Sequence, residues 1–216
     1  MHSFSAGVEF IFRGGLMMFP LLLSALVALT VIIERLYLFY RVYSTSPQAV
    51  SQVFDLIKKS QLDQANKVCL ELKTPVSSVI QAGIKHFDNP IEEMELSMKN
   101  QAESWVPLLE KRIDLIDTVI TAAPLMGLLG TITGMMGSFQ VLSEKGVNEP
   151  NAITGGVAEA LIATATGLVI ALICLVFYNS LTNKVKGFIY DVESVASRLV
   201  EIRLAMHRHR KDTSHS

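Results

Sequence analysis

Charge is the commodity this sequence lacks. Only 18% of its 216 residues are Asp, Glu, Lys or Arg, while half are hydrophobic. Soluble domains carry about a quarter charged residues, so an ordinary soluble enzyme is a poor fit. Disorder is excluded by the amount of apolar surface that would be left in water. The net charge is −1, so there is no global basic field to hold nucleic acid. Two cysteines, Cys69 and Cys174, are too few for a disulfide framework. What is present instead is a set of long uncharged runs, and they point to an integral membrane protein.

Three such runs occur. Gly14–Ile33 holds 20 residues without formal charge, Thr118–Ser143 holds 26 and Ala160–Asn183 holds 24. Roughly 20 apolar helical residues cross a bilayer core, and backbone groups in lipid must pair within the segment. The fold expected is therefore an all-α integral membrane protein with three transmembrane helices. The first run lacks the basic start and small-residue exit of a signal peptide and ends in Glu34-Arg35, so it reads as a retained span. It is apolar all round and is expected to face lipid.

Lys and Arg set the orientation. Arg35, Arg41, Lys58, Lys59, Lys111 and Arg112 lie between spans one and two, and Lys184, Lys186, Arg198, Arg203, Arg208, Arg210 and Lys211 follow span three. The hairpin Glu144–Asn151 holds only Lys145, flanked by Glu144 and Glu149. The expected division is residues 1–13 periplasmic, 14–34 the first span, 35–112 a cytosolic helical segment, and 113–143 the second span. A short periplasmic hairpin at 144–155, the third span at 156–183 and a cytosolic helix and tail at 184–216 complete it. Apolar residues recur at helical spacing at Val50, Val53, Phe54 and Ile57 and at Leu62, Ala65, Val68, Cys69 and Leu72. Thr74-Pro75 and Asn89-Pro90 interrupt. Ile91–Asp117 is expected to form one long helix running into span two. After span three, Val185, Phe188, Ile189, Val192, Val195, Ala196, Leu199 and Ile202 form an apolar stripe. Spans two and three are thus expected to extend into the cytosol as long helices that pack on each other.

Spans two and three each carry a stripe of small residues. Gly127, Gly130, Thr131, Gly134, Gly137 and Ser138 share one arc of the second. Gly156, Ala160, Ala163, Thr164, Gly167, Ala171 and Cys174 share one face of the third. Leu128, Leu129, Ile132, Met136 and Phe139, and Leu161, Ile162, Leu168, Val169, Leu172, Ile173 and Val176, lie opposite. Two uses are open: close helix packing, which small residues permit in lipid, or a faintly polar wall around another helix or a water file. Glu159 likewise has two readings, a helix N-terminal acid or a carboxylate turned to a bundle interior. The inner parts of the spans hold no Asp, His, Lys or Arg. One edge carboxylate cannot relay protons across a membrane, so a conducting assembly would need an acid from another polypeptide. No motif for intramembrane catalysis is present and no enzyme activity is expected. The tail His207-Arg208-His209-Arg210-Lys211 fits a solvated end with mild attraction to membrane lipids better than a metal site.

The runs Ala123-Pro124-Leu125-Met126-Gly127-Leu128-Leu129-Gly130-Thr131 and Gly156–Leu168 resemble the signature of the MotA/TolQ/ExbB proton channel family, nearest its ExbB and TolQ branch. Asp63–Cys69 with Thr74-Pro75 is similar to the cytosolic helices of ExbB-like proteins. The resemblance implies a homo-pentamer around a dimer of a single-span ExbD-like or TolR-like partner, whose transmembrane aspartate takes and releases protons. It implies that the small faces line the pore, with Thr131 and Thr164 at the family's pore threonines and Glu159 at its third-span glutamate. The pore-face small residues would be Gly127, Gly130, Gly134, Gly137, Ser138, Ala160, Ala163, Gly167 and Ala171. Protons are the implied coupling ion, with no cofactor. The output would reach a TonB-like or TolA-like protein from the bacterial inner membrane, with the N-terminus periplasmic and the C-terminus cytosolic. An ExbB-like role energising TonB-dependent transport is favoured over a TolQ-like role in the Tol-Pal system and over a non-conducting scaffold. The chain departs from the family pattern at Thr154-Gly155-Gly156, where many relatives have Pro-Gly, and at Leu129 and Thr133, where aromatics are common.

Overall fold

A computed structural model describes residues 14–42, 47–145 and 150–214, and all secondary structure among them is helical. The chain divides into two compact units. The first takes the described residues to Glu34 together with Arg112–Ser180, and the second takes Arg35–Lys111 with the chain from Leu181 onward.

The first unit contains most of α1 (Met18–Val42), all of α7 (Ile113–Lys145) and the first part of α8 (Pro150–Ser214). These three helices are long and apolar enough to cross a membrane. Each buries only a narrow stripe. On α1 it is Met18, Leu21, Ala28, Val31 and Ile32. Its other faces, with Phe19, Leu23, Leu26 and Ile33, are exposed. Apolar surface of that extent is at home in lipid or against further protein and not in water. Pro124 lies inside α7, where it removes one intrahelical bond to the Ile120 carbonyl. At the helix ends the Arg112 guanidinium donates to the Glu34 carboxylate, a half-exposed pair that contributes little to stability.

The second unit packs short helices: α2 (Pro47–Lys58), α3 (Leu62–Leu72), α4 (Pro75–Lys85), α5 (Ile91–Glu103) and α6 (Val106–Glu110), with the remainder of α8. Its core is conventional. Phe54, Ile57, Ile80, Met94, Met98, Leu109, Leu181 and Leu199 are fully buried. Both breaks read from Thr74-Pro75 and Asn89-Pro90 are real. Thr74 caps α4 by accepting from the Ser77 N–H at 3.3 Å, while Ser77 Oγ accepts from the Thr74 N–H at 3.0 Å. Pro75 then occupies a first-turn position that needs no donor. The Trp105 indole N–H donates to Ser78 Oγ at 2.9 Å, tying α4 to the α5–α6 corner. Arg35, on the same unit's share of α1, donates from Nη1 to the Leu108 carbonyl at 2.9 Å.

Two sequence expectations need correction. Ile91–Asp117 is not one helix but α5, α6 and the start of α7. Pro107 cannot donate to Glu103 and its ring crowds that carbonyl, which ends α5 at Glu103. Lys111 is extended at φ −47°, ψ 130°, and Arg112 is left-handed at φ 64°, which ends α6. Span two therefore has no long helical extension, whereas span three does, α8 being 65 residues long. The helix that carries the third span begins at Pro150, ahead of the expected start of that span at residue 156, and residues 146–149 of the expected hairpin lie outside the described residues. The expected N-terminal segment 1–13 lies outside them as well.

Two predictions follow from this unit. Thr74→Ala removes the half of the capping box in which Thr74 Oγ1 accepts from the Ser77 N–H and should lower stability by about 1 kcal/mol, with Ser77→Ala, which removes the other half, adding less than its own single effect; thermal unfolding of the two single variants and the double variant measures this. Burial pushes the Cys69 thiol up from 9.0 to about 11. The neutral thiol is the form the fold favours, so its contribution is complete below pH 9 and is lost as pH rises towards 11. Cys69→Val should flatten that alkaline slope in melting temperature against pH.

Candidate functional site

The small stripes of α7 and α8 meet each other within one chain. A methyl group on Gly127 would stand 3.0 Å from both the Ala163 carbonyl oxygen and Thr164 Cα. One on Gly130 would reach Ala163 Cβ at 2.5 Å, and one on Gly134 would reach the Gly156 carbonyl oxygen at 2.8 Å. Gly156 in turn has no room for a side chain beside Ser138 Oγ, and Gly167 none beside the Ala123 carbonyl. Ala160, Ala163, Ala171 and Ser138 are buried. The helices thus touch at backbone distance over several turns, which only Gly and Ala allow.

The structure shows the first of the two uses left open for the stripe. Gly127, Gly130, Gly134, Ser138, Ala160, Ala163, Gly167 and Ala171 are closely packed or buried within this chain. Gly137 is the exception, with no atom within 4 Å of an added methyl. The exposed residues are the ones read opposite the stripes: Leu128, Ile132 and Phe139 on α7, and Leu161, Leu168, Leu172 and Val176 on α8.

The three polar candidates lie at the border of this contact. Thr164 Oγ1 donates to the Gly127 carbonyl across the interface at 3.0 Å and to Ala160 in its own helix at 3.2 Å. Thr131 is half-buried and donates to the Leu128 carbonyl at 2.6 Å, satisfied within its own turn. Both hydroxyl oxygens keep acceptor capacity. Glu159 is half-buried, and its carboxylate lies against Gly15.

Gly15 is a residue the sequence reading missed. Its φ is +69°, and a side chain there would overlap the Glu159 carboxylate, so two independent constraints select glycine. Gly14 approaches Ile162, and Met17 lies near Gly130. The segment ahead of α1 therefore covers one edge of the α7–α8 contact. The only signal for this was the Gly14-Gly15 pair directly before the first apolar helix. No cluster of metal-ligating side chains occurs among the described residues.

A pair of variants separates packed from open positions. Gly134→Val should cost about 1–3 kcal/mol by forcing the helices apart. Gly137→Val makes the same change in helix propensity without the clash, and the purified chain in detergent should melt close to wild type. Comparable losses in both would contradict the packing described.

Residues 71–194 match the family described as the MotA/TolQ/ExbB proton channel family. The chain is similar to a Synechocystis sp. protein named as the biopolymer transport protein ExbB-like 3, with 33% identity over 168 residues, covering 77% of this chain and 80% of that protein. A second Synechocystis sp. relative, named ExbB-like 1, is 31% identical over 175 residues, covering 79% of this chain and 68% of its own length. The Tol-Pal system protein TolQ of Haemophilus influenzae is 38% identical over 98 residues, which cover 45% of this chain and 41% of TolQ.

Proposed function

The chain belongs to the MotA/TolQ/ExbB proton channel family, and from that premise we propose that it is the ExbB-like wall subunit of a proton-driven motor in a bacterial inner membrane. In this reading five copies surround a dimer of a single-span, ExbD-like protein. Protons are the coupling ion, and a TonB-like protein receives the work. The subunit binds and positions; it catalyses no covalent step.

One observation supports the reading above the others. Thr118–Ser143 and Ala160–Asn183 contain no Asp, Glu, His, Lys or Arg, and Glu159 stands just outside the second of them. A pathway through this protein alone would cross the bilayer without a group to take up a proton. A partner helix with an intramembrane carboxylate supplies it. Thr131 and Thr164 are polar side chains at the edge of the α7–α8 contact, where an apposed helix can reach their acceptor oxygens, while the Glu159 carboxylate lies on the edge that Gly15 covers. The transmembrane potential yields about 2.3 kcal/mol per charge per 100 mV, enough to move a helix past weak contacts.

The pore wall in this proposal is narrower than the stripes suggest. Thr131, Thr164, Glu159 and open Gly137 face the partner, while the remaining small residues hold α7 to α8. Similarity to TolQ supports a second output, the Tol-Pal system, with the same membrane mechanism. The orientation with residues 35–112 and 184–216 in the cytosol rests on the Lys and Arg distribution.

Reconstitution in liposomes tests this. The chain alone should leave a proton gradient intact, and co-reconstitution with its single-span partner should dissipate it. Thr164→Val should lower flux about tenfold with the complex still assembled, while Thr164→Ser, which keeps the hydroxyl, should restore it. Equal flux from the chain alone, or undiminished flux from the assembled Thr164→Val complex, would overturn the proposal.

A further inference from the structure

The second unit contains a pocket of about 500 Å³ between the end of α2, the turn after α4 and the C-terminal part of α8. Lys58, Ser60, Phe87, Asp88, Arg203 and His207 are among the residues that line it. Arg203 is the unusual member. It is only 5% exposed, which is rare for a guanidinium that no carboxylate holds among the described residues.

Its surroundings account for one part of the group and not the other. The Phe87 ring lies under the guanidinium, 5.4 Å from centroid to Cζ, so the cation's flat face is covered by an aromatic face. Its edge is not provided for: Nη1 is fully buried and has no hydrogen-bond partner among the described residues. A buried donor without an acceptor is costly, and the residue that carries it lines a cavity large enough for a small molecule.

The chemistry of the lining indicates what would complete it. A guanidinium edge offers parallel N–H donors matched to two oxygens of an oxyanion. Lys58 adds a second permanent cation, Ser60 a hydroxyl and His207 an imidazole, against one carboxylate, Asp88. Lys58, Ser60 and His207 are exposed and can close on a ligand from the solvent side. Two cations and a hydroxyl suit a tetrahedral dianion better than a carboxylate, which carries one charge and two oxygens.

We propose that this pocket binds a phosphate dianion, as inorganic phosphate or a soluble phosphomonoester, with the Arg203 guanidinium in the wall and Lys58 at the mouth supplying the two cations. Phe87 covers one face of the guanidinium, and the ligand must displace the packing over Nη1 to gain that donor.

The test uses the full chain in an uncharged detergent at ionic strength held constant with chloride. Inorganic phosphate and glycerol 3-phosphate are titrated separately by calorimetry, with melting temperature as a second readout. Either or both should bind and raise the melting temperature, and the two titrations identify the source. Lys58→Ala should weaken binding several-fold, and Arg203→Met should weaken it about tenfold or more. Arg203→Met replaces an unfilled buried cation with an apolar chain of similar length, so it should fold. If it does not, Lys58→Ala on the solvent side decides. Absence of binding to wild type by both probes, or wild-type affinity in either folded variant, would overturn the proposal.

Discussion

Two helices in lipid gain nothing from hiding apolar side chains, because the tails around them are equally apolar. What holds them is how closely their backbones approach. In this protein α7 and α8 meet at Gly127, Gly130, Gly134, Gly156, Ala160, Ala163 and Gly167 with no space for larger groups. The rest of the membrane unit depends on that contact. It sets Thr164 against the Gly127 carbonyl. It turns the large residues Leu128, Phe139, Leu161 and Leu172 outward, where lipid or other subunits must cover them. It also brings Glu159 to the edge that the segment before α1 overlies through Gly15.

Glycine thus does different things at different places. Along α7 it is chosen for the absence of a side chain in an ordinary helix. At Gly15 it is chosen for backbone conformation as well, since φ is +69°. Gly137 satisfies neither requirement in the single chain. A helix glycine with open space beside it lowers helix stability without a packing return. An approach by a further helix is the arrangement that would use the room.

The three spans, the breaks at Thr74-Pro75 and Asn89-Pro90 and the stripe after Asn183 were legible in the sequence because each rests on local chemistry: long uncharged runs, proline geometry and a repeat along one helix. The small residues were also visible, but not their destination. A Gly/Ala face looks the same in sequence whether it meets a neighbouring helix of its own chain or lines a cavity, since the distinction depends on contacts between residues about 35 apart, such as Thr164 with Gly127. Ile91–Asp117 was misread because helical periodicity persists across Pro107 and Arg112 while the backbone does not. Arg203 carried no signal at all. An arginine on a helical stripe reads as solvated until Phe87, far away in sequence, is found beneath it.

α8 changes character along its own length. One buried stripe runs through much of its length, and its members change in size along the way. From Ala160 through Ala163, Gly167, Ala171 and Cys174 they are small. From Leu181 through Val185, Phe188, Val192, Leu199 and Ile202 they are large. The spacing of alternating threes and fours hardly alters, so helix geometry does not explain the change. The surroundings do. In lipid, small residues hold helices by close approach; in water, burial of large apolar side chains supplies the stabilisation, at roughly 25 cal/mol per Å². The switch falls between Cys174 and Leu181, just before the first charge at Lys184, and the division into two compact units falls at Ser180. Three features, the size of the buried residues, the return of charge and the limit of the first compact unit, therefore change within the same few turns of a single helix.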